Sequence, residues 1–159
     1  MRKKIERKYL AHYIDENFGT TPSYARLGID LEEYNIEMNP DIETIKNILG
    51  ETSNTIKGYE PSGSVDTYYA YEGDPLFEHL SDIVNNRSTG SQLKTTVVDV
   101  LLNADGTVEW AYREDVLVIP QSIGGDTGGV QIPFEVMYNG NRVVGDFDLK
   151  TKEFTEAEG

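Results

Sequence analysis

The chain has 159 residues, 14 of them basic and 28 acidic, giving a formal net charge of −14 at pH 7. That charge excludes a nucleic-acid groove or an anionic membrane surface as the main partner, because both are bound by clustered Lys and Arg. The absence of cysteine excludes disulfides, thiolate metal sites and a cysteine nucleophile, and the length fits one domain.

Residues 1–8 hold five basic residues and one acidic one, a basic head on an acidic body. Such a head suits an acidic neighbour, including a second copy. It reads equally as a solvated terminus. Tyr9 to Ile14 is too short for a secretory signal and is interrupted by His12. No stretch approaches the ~18–20 apolar residues of a membrane span. A soluble, cytoplasmic chain is the expectation. From Asn39 to Gly50, helix and strand compete. Ile42, Ile45, Ile48 and Leu49 have helical spacing, yet Ile42, Thr44, Lys46 and Ile48 alternate and β-branched residues favour extended chain. Residues 51–64 read as a long mobile connection or a projecting arm. Tyr68, Tyr69 and Tyr71 fall on a strand-like run, so at least one faces outward, and Tyr is enriched at interfaces.

One helix is predicted over about residues 74–87. Asp74 can cap it, Pro75 suits its first turn, and Leu76, Leu80, Ile83, Val84 and Arg87 share a face. A hairpin follows. Thr96, Val98, Val100 and Leu102 form one strand face, Asn103 to Gly106 the turn, and Val108, Trp110, Tyr112, Val116 and Val118 the return, with Glu114 a misfit. Gln121 to Gly129 reads as a loop with four glycines. A second hairpin runs from Val130, Ile132, Phe134, Val136 and Tyr138 through Asn139-Gly140 to Val143, Gly145, Phe147 and Leu149. Pro133 places that strand at an edge or a bulge. These elements describe an all-β core with an appended helix, or a small α+β fold.

Chemical motifs are weak. Asp126-Thr127-Gly128 matches the aspartic-protease tripeptide, but Gly124-Gly125 stand before it in place of large apolar residues. The Gly124 to Gly129 run lacks the Lys and Ser/Thr of a phosphate-binding loop. Asp99, Asn103, Asp105 and Gly106 resemble a calcium loop, but Leu101 occupies an oxygen-ligand position. His12 and His79 lie in different elements without ligand spacing. Glu32-Glu33 and Glu114-Asp115 are pairs that a chain with 28 acids forms by chance. No catalytic, cofactor-binding or metal residues are expected.

An ordered set of short motifs is more informative. It comprises Asn39-Pro40, Glu43-Thr44, Gly50-Glu51-Thr52, Gly58 to Ser62, Val65-Asp66, Gly73 to Leu80 with Asp82-Ile83, and Val98-Asp99-Val100. It continues through Trp110 to Pro120, Gly124 to Thr127, Gln131 to Phe134, and Gly140 to Asp148. The set resembles the major tail (tail tube) proteins of long-tailed phages and prophages of Gram-positive bacteria, over roughly residues 24–154. The resemblance implies a mainly β fold, an antiparallel β-sandwich or partly closed barrel with one flanking helix. It implies one domain over 1–159, with an N-terminal arm (1–20), a long loop or projecting segment (about 35–61) and a C-terminal tail (150–159). Six subunits would share strands in a ring, and stacked rings would form a hollow tube that passes DNA into the host. No catalysis and no cofactor are implied. Partners would be further copies and the tape measure, tail terminator and distal tail proteins. DNA would be passing cargo only, and the chain would not bind membrane. The location would be the virion, after assembly in the host cytoplasm.

On that reading the polar hairpin faces supply candidate channel-facing acids, Asp99, Glu135, Asp146 and Asp148. Acids lining a bore repel phosphates and keep DNA from sticking. Candidate inter-subunit contacts are Arg2, Lys3, Lys4, Ile42, Ile45, Ile48, Tyr59, Tyr69 and Tyr71. The resemblance also favours extended or looped chain from Ile42 to Leu49. The alternative is a monomeric β-sandwich binding module for a carbohydrate or protein ligand, which would saturate with ligand instead of polymerising.

Overall fold

A computed structural model describes residues 2–19, 21–28 and 30–157. Its strands are β1 Leu10–Asp15, β2 Tyr24–Arg26, β3 Ile36–Glu37, β4 Pro40–Lys46, β5 Thr52–Tyr59 and β6 Ser62–Val65. Helix α1 Pro75–Asn86 follows, then β7 Lys94–Leu102, β8 Val108–Pro120, β9 Gly124–Asp126, β10 Gly129–Gln131, β11 Phe134–Tyr138, β12 Val143–Asp148 and β13 Glu153–Glu156. Nine strands form one sheet ordered β2-β1-β7-β8-β11-β6-β3, with β12 joined to β8 and β13 to β12. The pairings are antiparallel. The fold is mainly β with one helix, as expected, and the sheet does not close into a barrel among the described strands.

The β7–β8 hairpin is the spine. Its turn forms because Gly106 takes a positive φ of 91° and Asp105 accepts from the Thr107 N–H and hydroxyl. Side chains alternate across a strand, so the two faces of this hairpin build two cores. Val97, Val116 and Val118 join Ile14, Phe134, Val136, Leu76 and Leu80 on the helix side. Val98, Val100 and Ala111 join Tyr13, Tyr24 and Phe147 on the other. The helix forms as its sequence dictates. Asp74 accepts from Leu76 N–H at 3.1 Å, Pro75 opens the first turn, and Leu76, Leu80 and Ile83 are buried. Leu76 and Leu80 each contribute about 1.5–3 kcal/mol of burial.

The second predicted hairpin does not form. Strand β11 lies against β8 with Tyr138 opposite Val116, and β12 lies on the same edge with Val143 opposite Arg113. They are one interrupted strand, and Asn139 to Arg142 bulge out between them. Asn139 N–H donates to Asp115 C=O, and Asp115 N–H donates to Gly140 C=O. Gly140 and Asn141 have φ of 97° and 56°, values that serve a bulge as well as a tight turn. Glu114, the apparent misfit, is buried beneath this bulge. It accepts from Arg142 Nη1 at 3.2 Å and Gly140 N–H at 3.3 Å.

Other expectations also change. Leu10–Asp15, assigned to an N-terminal arm over 1–20, is the buried strand β1 between β2 and β7. The C-terminal tail over 150–159 contains β13, paired with β12. Of the two readings of residues 51–64, the mobile connection gives way to strands β5 (Thr52–Tyr59) and β6 (Ser62–Val65), and β5 is exposed. The Gln121 to Gly129 loop contains β9 and leads into β10. Tyr68 to Tyr71 has a single bridge, Tyr69 to Gln131, in place of a strand.

Candidate assembly interface

Strands β4 and β5 form a two-stranded sheet of their own, exposed along almost its whole length. The base is pinned by Asn39 at φ 45°, whose side-chain amide donates to Glu60 C=O and Ser62 Oγ. The tip turns on Gly50 at φ 82° and on Asn47 Oδ1, which accepts from the Leu49 and Glu51 N–H groups. Ile42 and Ile56 face each other across the ribbon, and Ile45 lies on the opposite face. Ile48 and Leu49 stand at the tip with relative exposures of 103% and 77%. An isolated ribbon is marginally stable in water, and apolar residues on both its faces have no cover among the described residues.

Ile42, Ile45, Ile48 and Tyr59 therefore share one element, all exposed. Leu49 and Ile56 belong with them and were missed. Ile56 is flanked by polar residues, so no periodicity marks it. Arg2, Lys3 and Lys4 lie in the exposed segment that precedes a 3-10 turn, Arg7–Tyr9. Tyr69 and Tyr71 lie elsewhere, and their hydroxyls donate to Asp126 and Asp30.

The candidate channel acids do not line one surface. Asp99 is interior, with a relative exposure of 3%, and therefore faces no channel in this chain. It accepts from His12 Nδ1 at 2.7 Å and Tyr138 Oη at 3.0 Å. Apolar burial and the Asp99 charge push the Tyr138 phenol far above its ordinary range. Glu135 pairs with Ile119, whereas Val144 pairs with Tyr112. Alternation along β8 then puts Glu135 on one face and Asp146 and Asp148 on the other. Asp148 accepts from the Lys150 and Thr151 N–H groups, and the latter most of all holds its carboxyl below the ordinary value. Among the described strands, β2, β3 and β13 each have one unpaired edge.

The protease-like Asp126 has a turn-forming role. It accepts from Gly128 N–H at 2.7 Å and from Tyr69 Oη at 3.2 Å. The calcium-like set is split, because Asp99 points to His12 while Asn103 and Asp105 hold Thr107.

No protein-family model matches the sequence, and no curated protein matches it. Solved structures share the fold. The cap of the anti-feeding prophage (AFP tube terminating cap) aligns with a TM-score of 0.56 at 10% identity, over 92% of this chain and 93% of that one. The sheath/tube terminator of an extracellular contractile injection system, PVC, in the extended state aligns with a TM-score of 0.56 at 10% identity, over 90% and 97%. A chain of the PVC sheath-tube complex in the extended state aligns with a TM-score of 0.54 at 11% identity, over 90% and 92%.

Proposed function

We propose that this chain is a structural subunit of a phage-tail-like particle, assembling with further copies into rings on the axis of the tube. The observation that carries this reading is the β4–β5 ribbon. A domain with two cores leaves seven large apolar side chains exposed from Met38 to Tyr59, on the ribbon and its approach, and no described residue outside that segment covers them. Such a ribbon gains its cover from a neighbouring copy. The unpaired edges of β2, β3 and β13 offer further joints, and a closed ring would remove them. The shared fold supports the reading, because each of the three neighbours is a component of a tube, sheath or cap.

The tail-tube reading is also refined. Two of the three neighbours are a tube-terminating cap and a sheath/tube terminator, so a terminating ring stands beside a mid-tube ring. Stoichiometry separates them. A tube subunit stacks into long hollow tubes as concentration rises, whereas a terminator stops at one ring. Six-fold symmetry and a channel that passes genome or other cargo belong to the same proposal. Negative-stain microscopy of concentrated protein, with light scattering, tests it: rings or tubes are expected. A monomer that saturates with a carbohydrate or protein ligand would favour the binding-module alternative.

A further inference from the structure

Residues 2–6 run exposed up to the 3-10 turn Arg7–Tyr9. Arg7 then turns back into the domain. Its Nη2 lies 3.0 Å from His12 Nε2 and donates to Tyr34 C=O at 2.9 Å, while Nη1 donates to Leu10 C=O. A guanidinium has only donors, so His12 Nε2 accepts and the ring proton sits on Nδ1. That proton is donated to Asp99 Oδ1 at 2.7 Å, and Tyr138 donates to Asp99 Oδ2 at 3.0 Å. Arm, imidazole and buried carboxylate form one hydrogen-bond chain that requires a neutral ring at its centre.

We infer that this chain is a proton-operated latch on the N-terminal arm, in which protonation of His12 at Nε2 expels Arg7 and loosens the Arg7–Tyr9 turn, leaving Arg26 Nη2 on Lys8 C=O as the remaining side-chain tether. A protonated Nε2 is a donor facing a donor, and it sets imidazolium against guanidinium. Asp99 stabilises the new charge from the opposite side, so the ring stays seated while Arg7 does not. Tyr34 packs edge-on against the ring, with centroids 4.6 Å apart. The ring opens onto a groove of about 700 Å³ lined by Arg7, Lys8, Arg26, Lys152, Glu32 and Glu33. Cations outnumber carboxylates there, and among these groups Arg7 alone hydrogen-bonds the ring, so the added repulsion falls mainly on it. Free imidazole is the side chain that changes charge between about pH 5 and 8, so the test spans that range. On the assembly reading above, the loosened arm carries Arg2, Lys3 and Lys4 to an acidic neighbour. The latch itself does not depend on that reading.

The test uses the full chain at a concentration where it is monomeric. Hydrogen exchange at the Tyr9 and Leu10 amides, which donate to Glu6 C=O and Arg7 C=O, is measured at pH 8 and pH 5, and each rate is divided by that of Arg7→Ala, which lacks the latch at both. This ratio cancels the intrinsic pH dependence of exchange. The wild type should exchange at least about tenfold more slowly than the variant at pH 8 and equally fast at pH 5. The nitrogen shifts of His12, separable from those of the one other histidine, should show an Nδ1–H tautomer at pH 8. A ratio that does not change with pH, or an Nε2–H tautomer at pH 8, would overturn the latch. Loss of rings with the latch intact would instead count against the assembly reading.

Discussion

A Cβ at Gly63 would overlap the Tyr34 ring and hydroxyl. Gly63→Ala therefore drives Tyr34 from its buried seat beside His12. Urea titration should show a loss of about 1–3 kcal/mol, and an unchanged midpoint would refute that packing account. Asp74 serves two groups at once, capping α1 at Leu76 N–H and accepting from the Tyr68 hydroxyl. Burial first, and then Asp74, push the Tyr68 phenol upward. Asp74→Ala should cost about 1–2 kcal/mol in the same titration, with Asp74→Asn retaining most of the cap. At Asp148 the folded carboxyl titrates below its ordinary value. Its contribution is thus complete above the ordinary value and fades as pH falls through the lowered one. Thermal melts of Asp148→Asn should lie slightly below wild type at pH 7 and converge with it toward pH 2. The Asp74 cap was legible in the sequence because donor and acceptor are two residues apart. The His12–Asp99 pair was not, because its partners are separated by 87 positions and meet only when β1 docks on β7. That fold-level pairing is also why Asp99 was read as a surface acid.

The β4–β5 ribbon carries the clearest prediction for an element. Its isoleucines touch no core, so Ile42→Asn with Ile56→Asn should leave monomer stability within about 0.5 kcal/mol, measured by chemical denaturation. The same variant should lose self-association in sedimentation. A large loss of monomer stability would show that the ribbon packs on its own chain. Strand character was legible in β8 and β11, where buried and less buried positions alternate, and in β7 as a run of β-branched apolar residues buried on both faces. The strand β1 was hidden because both its faces are buried, so Leu10 to Asp15 shows no alternation. The β11–β12 error has a different cause. Both segments alternate correctly, and Asn139-Gly140 supports either a reversal or a bulge. Only the length of β8, 13 residues, allows both segments to dock along one edge.

At the scale of the whole molecule, the charge of −14 and the assembly proposal are compatible. Copies repel over a screening length of roughly 8–10 Å, so a ring needs short-range apolar and strand-edge contacts to form. Salt should therefore promote assembly, and turbidity or light scattering at low and high ionic strength would show it. The fold class was legible because antiparallel strands and one capped helix leave local signatures, while the place of each acid on the surface depends on which face each strand buries. Glu135 and Asp146 stand on opposite faces for that reason, and a bore would recruit at most one of the two sets. The central claim is that this chain is a ring-forming subunit. Electron microscopy of the purified, concentrated wild-type protein tests it most directly. The account predicts rings or stacked tubes with an open centre, absent from the Ile42→Asn, Ile56→Asn variant. A uniformly monomeric protein at every concentration and salt, alone and with other tail components, would contradict it.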